Sequence, residues 1–247
     1  MILAVCGNGG VGKTTVSAIG AKALAASGVK ALIVDADPAA GLAMALGIEP
    51  KRTLNDVRKA LIEEVKAGRR DERDLAVSVD YLVAEALTER DNLAFLSIGR
   101  HEDVGCYCKV NVILKDAIEM LGGMFGATLI DAEAGIEQVN RKVMGAVDYV
   151  LLVSDTSAKA VRVAETIRDV SGRMIQDAGA GLLVNRVREP AEADKVESYP
   201  SLDVIGRVPE DDTVSEFDAG QKSFFDLPEC PASVAVESTL AAAGFLP

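Results

Sequence analysis

Residues 7–15, GNGGVGKTT, carry glycine, lysine and threonine at the spacing Gly-x4-Gly-Lys-Thr. This is the spacing of a loop that binds phosphate groups between a strand and a helix. Here the loop follows an apolar run, ILAVCG, and leads into an alanine-rich run of helical character. The glycines allow backbone N–H groups to face an anion, and the N-terminus of a helix adds partial positive charge. The sequence therefore predicts a phosphate-binding loop.

The residues of this loop have separate expected roles. We expect Lys13 to reach the β- and γ-phosphates of a nucleotide, and the Thr14 hydroxyl to ligate Mg²⁺. Thr15 is placed to contact the α-phosphate. The other contacts to phosphate are expected from the loop backbone, at Gly9, Gly10, Val11 and Gly12.

Acidic residues end two further apolar runs, VDADP (34–38) and ATLIDAE (127–133). The carboxyl ends of parallel strands form the ligand-binding edge of an α/β sheet. We expect Asp131 to hold Mg²⁺ through water, and Asp35 either to lie near Mg²⁺ or to be structural. One phosphate loop and two acidic strand ends predict a site for ATP or ADP with Mg²⁺.

Cys106 and Cys108 lie one residue apart in a polar segment, GRHEDVGCYCKVN (99–111). In an extended chain, residues i and i+2 share a face, so both sulfurs would point the same way. A closed soft-metal site usually has four ligands, which two chains related by a two-fold axis would supply. The pair predicts a metal site between two subunits of a homodimer. The alternative is a merely reactive or structural cysteine pair.

The elements that would position these residues alternate between strand and helix along the chain. Most of the apolar runs are apolar on both faces, as expected for parallel strands covered by helices. The pattern predicts a doubly wound α/β fold, with a mostly parallel sheet flanked by helices, in one domain spanning residues 1–247. A less regular insertion of loop and short helix is expected around residues 68–92, and a metal-binding loop at 99–109. The expected strands are 2–7, 31–37, 93–99, 127–133, 149–155, 181–187 and 203–209, and the expected helices are 14–27, 53–68, 111–123 and 157–176.

Composition excludes several classes of function. The formal net charge is −12 and the isoelectric point about 4.7, so general affinity for nucleic acid or anionic membranes is not expected. No apolar run reaches membrane-spanning length, and the N-terminal run resembles a buried strand rather than a signal peptide. Four cysteines without an export signal favour a reducing cytoplasm. Cys6 and Cys230 are expected to be buried or inert.

The run GGVGKTT resembles the deviant Walker A loop of the dimeric ATPases that include MinD, ParA and the nitrogenase iron protein. In those families a lysine before the two glycines reaches the partner's nucleotide, and here that catalytic position is Asn8. The resemblance implies that Asp37 orients the attacking water. Because Asn8 carries no charge, we expect slow ATP hydrolysis.

The same resemblance implies an adenine site later in the chain. In those families an asparagine at a strand end and a Pro-x-Asp/Glu segment clasp adenine. The matching residues here are Asn185, Pro209 and Glu210. No Asn-Lys-x-Asp guanine signature follows, because Arg186 comes after Asn185. ATP is therefore expected rather than GTP.

The cysteine segment, taken with DADP and DAEAGIEQ, resembles the CooC-type ATPases that help insert nickel into carbon monoxide dehydrogenase. This resemblance implies Ni²⁺ or Zn²⁺ held by Cys106 and Cys108 at a homodimer interface, with a nickel enzyme as the client. Two other functions stay open. One is an electron donor with an iron–sulfur cluster bridging the dimer, and the other is a ParA- or MinD-like switch that positions a cargo.

Overall fold

The computed structural model describes residues 1–68, 79, 81–99, 120–132, 147–174, 178–197 and 203–246. In this part of the chain, eight strands form one sheet. Their bounds are β1 Ile2–Gly7, β2 Ala31–Asp35, β3 Thr88–Arg90, β4 Leu93–Ser97, β5 Ala127–Asp131, β6 Tyr149–Ser154, β7 Gly179–Val187 and β8 Val204–Pro209.

The sheet has the order β3-β4-β2-β5-β1-β6-β7-β8, and every pair is parallel except β3 with β4. The strand that leads into the phosphate loop, β1, lies between β5 and β6. Asp131 pairs in register with Val5 of β1 and with Asp35 of β2. The two acidic strand ends therefore lie side by side, next to the loop that follows β1.

Helices cover both faces of the sheet. They are α1 Lys13–Ser27, α2 Gly41–Leu46, α3 Leu54–Lys66, α4 Ala158–Met174, α5 Pro190–Glu197, α6 Asp212–Ala219 and α7 Pro231–Ala242. Thr53 and Asp56 form a reciprocal capping box at the start of α3. Gly28, with φ of 70°, ends α1 in the left-handed conformation that glycine adopts without strain.

The core consists of two apolar layers, one on each face of the sheet. Successive residues of β1 alternate between the layers: Leu3 and Val5 pack with α1, α2 and α7, while Ala4 and Cys6 pack with α3, α4 and α5. Because both faces are covered, β1 is buried and apolar on both sides. The doubly wound α/β fold is confirmed.

All seven expected strands are present, with ends that differ by a few residues. Four helices, α2, α5, α6 and α7, and one strand, β3, were not predicted. β3 is a short antiparallel edge strand inside the segment expected to be loop and short helix, in which residues 81–85 are helical. α2 forms directly after the Asp-Pro turn. Most of the expected helix at 111–123 lies outside the described residues, and its part at 120–123 is helical.

Among the residues that the structure describes, no helix combines the length and the apolar composition needed to cross a bilayer.

Candidate nucleotide-binding site

The loop between β1 and α1 depends on glycine at its two ends. A Cβ atom on Gly7 would lie on the carbonyl group of Val153 in β6. Gly12 has φ of 95°, and a Cβ atom there would meet the side-chain amide of Asn185. Other residue types would therefore push the loop away from the sheet edge.

Lys13, the first residue of α1, bends back along the loop. Its Nζ donates to the backbone carbonyl of Asn8 at 3.0 Å. The ammonium group is therefore held against the backbone of the loop. Asn8, which stands at the position of the family's catalytic lysine, thus contacts Lys13 through its backbone carbonyl.

Thr14, the residue directly after Lys13, contacts Asp131 at the end of β5. The Thr14 hydroxyl donates to Asp131 Oδ2 at 2.9 Å, and the Ser17 hydroxyl donates to Asp131 Oδ1 at 2.9 Å. Burial raises the pKa of Asp131 to about 6, against the lowering effect of these two hydrogen bonds. Ser17 is fully buried and was not predicted, although its position three residues after Thr14 puts both on one face of α1.

These residues suit a magnesium ion. Mg²⁺ prefers oxygen ligands and typically keeps several waters, using one or two protein groups together with nucleotide phosphates. A threonine hydroxyl hydrogen-bonded to a buried carboxylate supplies that donor set. A nearby cation would also offset the burial that raises the pKa of Asp131.

Asp35 has a different environment. Its Oδ2 accepts from the backbone N–H of Ala43 at 3.0 Å, and its Oδ1 accepts from the N–H of Asp37 at 3.2 Å. Burial is the main cause that raises the pKa of Asp35 to about 7. Both oxygens accept hydrogen bonds from backbone of the segment that leads into and forms α2. Of the two roles expected for Asp35, near Mg²⁺ or structural, this arrangement favours the structural one.

Asp37 is half-buried beside these two carboxylates. Its Oδ1 accepts from the Ala39 N–H at 2.8 Å, which fixes the turn before α2. The charge of Asp37 contributes to the raised pKa values of both Asp35 and Asp131, so the three side chains lie close together. Its proposed role in orienting water stays a prediction.

Asn185 is buried at the end of β7 and reaches the phosphate loop. Its Nδ2 donates to the backbone carbonyl of Val11 at 2.8 Å. The next residue, Arg186, donates from Nη1 to the carbonyl of Gly10 at 3.0 Å. The sequence had suggested an adenine contact for Asn185, whereas this amide N–H group binds the loop.

A cavity of about 440 Å³ opens beside the loop, a size typical of sites that hold small molecules and cofactors. Its lining includes Thr15, Asn185, Pro209 and Glu210. The structure therefore brings the predicted α-phosphate residue and the predicted adenine segment to one cavity. At its edge, Glu210 accepts two hydrogen bonds from Arg188, at 2.6 and 3.1 Å.

The predicted soft-metal ligands, Cys106 and Cys108, lie outside the described residues. Within the described ranges, no group of three or more His, Cys, Asp or Glu side chains is arranged to hold a metal ion. Cys6 and Cys230 are buried, as expected. Burial raises the pKa of the Cys6 thiol to about 12, so this thiol stays protonated at neutral pH.

The fold and the loop together define a P-loop nucleotide-binding domain. The sequence profile described as the CobQ/CobB/MinD/ParA nucleotide binding domain matches residues 2–224. The chain belongs to this family.

Relatives match along most of the chain. An uncharacterized ATP-binding protein of Methanocaldococcus jannaschii is 32% identical, over 93% of this chain and 92% of its own length. The carbon monoxide dehydrogenase accessory protein CooC of Rhodospirillum rubrum is 27% identical, with the same shares covered. The septum site-determining protein MinD of Pyrococcus horikoshii, solved with Mg-ADP, has the same fold. Its TM-score is 0.68 at 20% identity, over 96% of this chain and 93% of that one.

Proposed function

We propose that this protein is an ATPase that acts as a nucleotide-dependent switch. The observation that carries the proposal is the hydrogen bond from Thr14 to Asp131, which joins the phosphate loop to a buried acidic strand end. The family membership of the chain supports nucleotide binding.

In this proposal, the loop backbone and Lys13 bind the β- and γ-phosphates, and Thr15 contacts the α-phosphate at the entrance to the cavity. Thr14 and Asp131 would hold Mg²⁺, which when bound neutralises charge on the phosphates. Adenine enters the cavity between Asn185 and the backbone of Pro209 and Glu210.

Hydrolysis requires a water aligned with the γ-phosphorus opposite the bond to ADP. Asp37 is the proposed group that orients this water, since it lies in the turn that follows β2, beside Asp131. The water forms a new bond to phosphorus as the bond to the ADP oxygen breaks. Asn8 cannot supply the positive charge that the lysine of related ATPases provides, so turnover is slow.

Phosphate release from ATP tests this proposal. The wild type should release phosphate slowly, Lys13→Ala should bind nucleotide weakly, and Asp37→Asn should bind ATP normally but lose turnover. A wild type that binds ATP without any turnover, in every condition that allows dimer formation, would reduce the function to nucleotide binding alone.

We further propose that this protein is itself a metallochaperone. Ni²⁺ or Zn²⁺ would be held by Cys106 and Cys108 of two chains. The support is the similarity to CooC over 93% of this chain, together with the Cys-x-Cys segment. Its client would be a nickel enzyme of the carbon monoxide dehydrogenase type. ATP binding would change the dimer and with it the geometry of the four thiolates.

Two alternatives share the nucleotide site and differ in what it controls. One alternative is a switch that positions a cargo, and its support is membership of the CobQ/CobB/MinD/ParA family. Co-sedimentation with DNA or anionic vesicles in the presence of ATP would support this cargo-positioning role. The net charge of −12 argues against both of these partners. An iron–sulfur electron donor would be brown and redox-active when purified without oxygen.

A further inference from the structure

Arg186 adopts a backbone conformation that is unusual for its residue type. Its φ is 56°, in the left-handed region that L-residues other than glycine, asparagine and aspartate seldom occupy. It lies in an irregular step of the pairing with β8: Val184 pairs with Arg207 and Val187 pairs with Pro209, so β7 has one extra residue there. Such bulges redirect side chains and are frequent beside active sites.

The redirected side chain reaches the phosphate loop. Arg186 Nη1 donates to the Gly10 carbonyl at 3.0 Å, and the preceding Asn185 donates to the Val11 carbonyl at 2.8 Å. Two consecutive residues of β7 thus bind two consecutive carbonyl groups of the loop, although they lie more than 170 positions away in sequence.

This pairing fixes the direction of the loop N–H groups. The peptide bonds of the loop are trans, and in a trans peptide the C=O of one residue and the N–H of the next point in opposite directions. When Arg186 binds the Gly10 carbonyl, the Val11 N–H is directed away from β7. When Asn185 binds the Val11 carbonyl, the Gly12 N–H is directed the same way. Convergent N–H groups of this kind form an anion site.

We propose that Arg186 is a positioning residue that holds the phosphate loop in its anion-binding conformation before nucleotide arrives. The inference rests on the proposed nucleotide-binding function and deepens it. The left-handed backbone at this position lets the guanidinium reach the Gly10 carbonyl. The ligand feature that it serves is the β-phosphate of a nucleoside di- or triphosphate, rather than the base.

The test compares Arg186→Gly, Arg186→Ala and Arg186→Lys with the wild type, and uses Arg168→Ala on α4 as an exposed-arginine control. The affinities of ADP and AMP are measured with Mg²⁺ by competition against a fluorescent ADP, and thermal unfolding is followed without nucleotide. Glycine relieves left-handed strain, so Arg186→Gly should keep or raise the unfolding temperature.

The same variant should bind ADP roughly tenfold more weakly, the effect of losing one hydrogen bond from a charged donor. AMP, which lacks the β-phosphate, should be affected much less, and Arg186→Lys should recover part of the ADP affinity. Unchanged ADP affinity in Arg186→Gly would overturn the proposal, as would equal weakening of ADP and AMP. Lack of ADP binding by the wild type would instead contradict the nucleotide-binding function itself.

Discussion

Asp35 and Asp131 are register partners on neighbouring strands, and both carboxylates are buried. Asp131 binds the hydroxyl groups of Thr14 and Ser17 on α1, whereas Asp35 binds backbone N–H groups of the segment leading into α2. One acidic strand end therefore faces the phosphate loop, and the other anchors the chain beside it.

The raised pKa of Asp35, about 7, predicts that stability depends on pH. The folded-state pKa lies above the unfolded value, so the stability that protonated Asp35 provides is lost as the pH rises from about 4 to about 7. Relative to Asp35→Asn, the wild type should lose on the order of 2 kcal/mol of unfolding free energy between about pH 5 and pH 8. Urea denaturation at both pH values measures this difference. A difference between the two proteins that stays constant with pH would contradict the raised pKa.

Ser17→Ala should affect both stability and magnesium-dependent binding. The variant removes a buried donor to Asp131 and should cost about 1–2 kcal/mol of unfolding free energy. It should also weaken ADP binding more when Mg²⁺ is present than when it is absent. Ser27→Ala is the matched control, because that hydroxyl caps the other end of α1 by binding the Leu24 carbonyl. If the two substitutions affect ADP binding equally, Ser17 has no specific role in magnesium-dependent nucleotide binding.

Asn8→Lys should accelerate ATP hydrolysis. The substitution restores a cation at the position from which related ATPases reach the partner's nucleotide, and an increase of at least about tenfold is expected at saturating ATP. Asn8→Gln, which extends the side chain without charge, should give no comparable increase. If the lysine variant hydrolyses ATP no faster than the wild type, residue 8 is not the position that reaches the partner's nucleotide.

The metallochaperone proposal predicts about half a metal ion per chain on a dimer. Protein purified without oxygen would be loaded with Ni²⁺ or Zn²⁺, and its metal content and solution mass measured. Cys106→Ser/Cys108→Ser should lose the metal but keep ADP affinity, and Cys230→Ser should keep both. Metal binding should weaken at low pH, because a cysteine binds metal as the deprotonated thiolate. Metal retained by the double variant would assign it to other ligands.

Much of the nucleotide site was predictable because its signals are local. The phosphate loop keeps its glycines, Lys13 and Thr14 within one short segment, and the acidic strand ends follow apolar runs directly. The contact of Asn185 with Val11 was not predictable, since it depends on how two distant segments meet in the sheet. For the same asparagine, the resemblance to the MinD and ParA families implies a contact with adenine.

Two of the missed elements, α2 and β3, have tertiary causes. α2 starts after Ala40, whose φ of 55° is left-handed, and is anchored by Asp35 through the N–H of Ala43. β3 has the sequence Thr-Glu-Arg, without the apolar alternation that signals a strand. It is held by pairing with β4, and the Arg90 guanidinium lies 4.1 Å from the centre of the Phe225 ring.

Together, Thr14 and Asp131 are expected to make nucleotide binding depend on Mg²⁺. Calorimetric titration of ADP with and without Mg²⁺ tests this dependence in the wild type, Thr14→Val and Asp131→Asn, with Thr14→Ser as the control that keeps the hydroxyl. We predict that Mg²⁺ strengthens ADP binding in the wild type and in Thr14→Ser, and that Thr14→Val and Asp131→Asn lose most of this gain while remaining folded. Binding that is equally strong with and without Mg²⁺, or unchanged in both variants, would contradict this expectation.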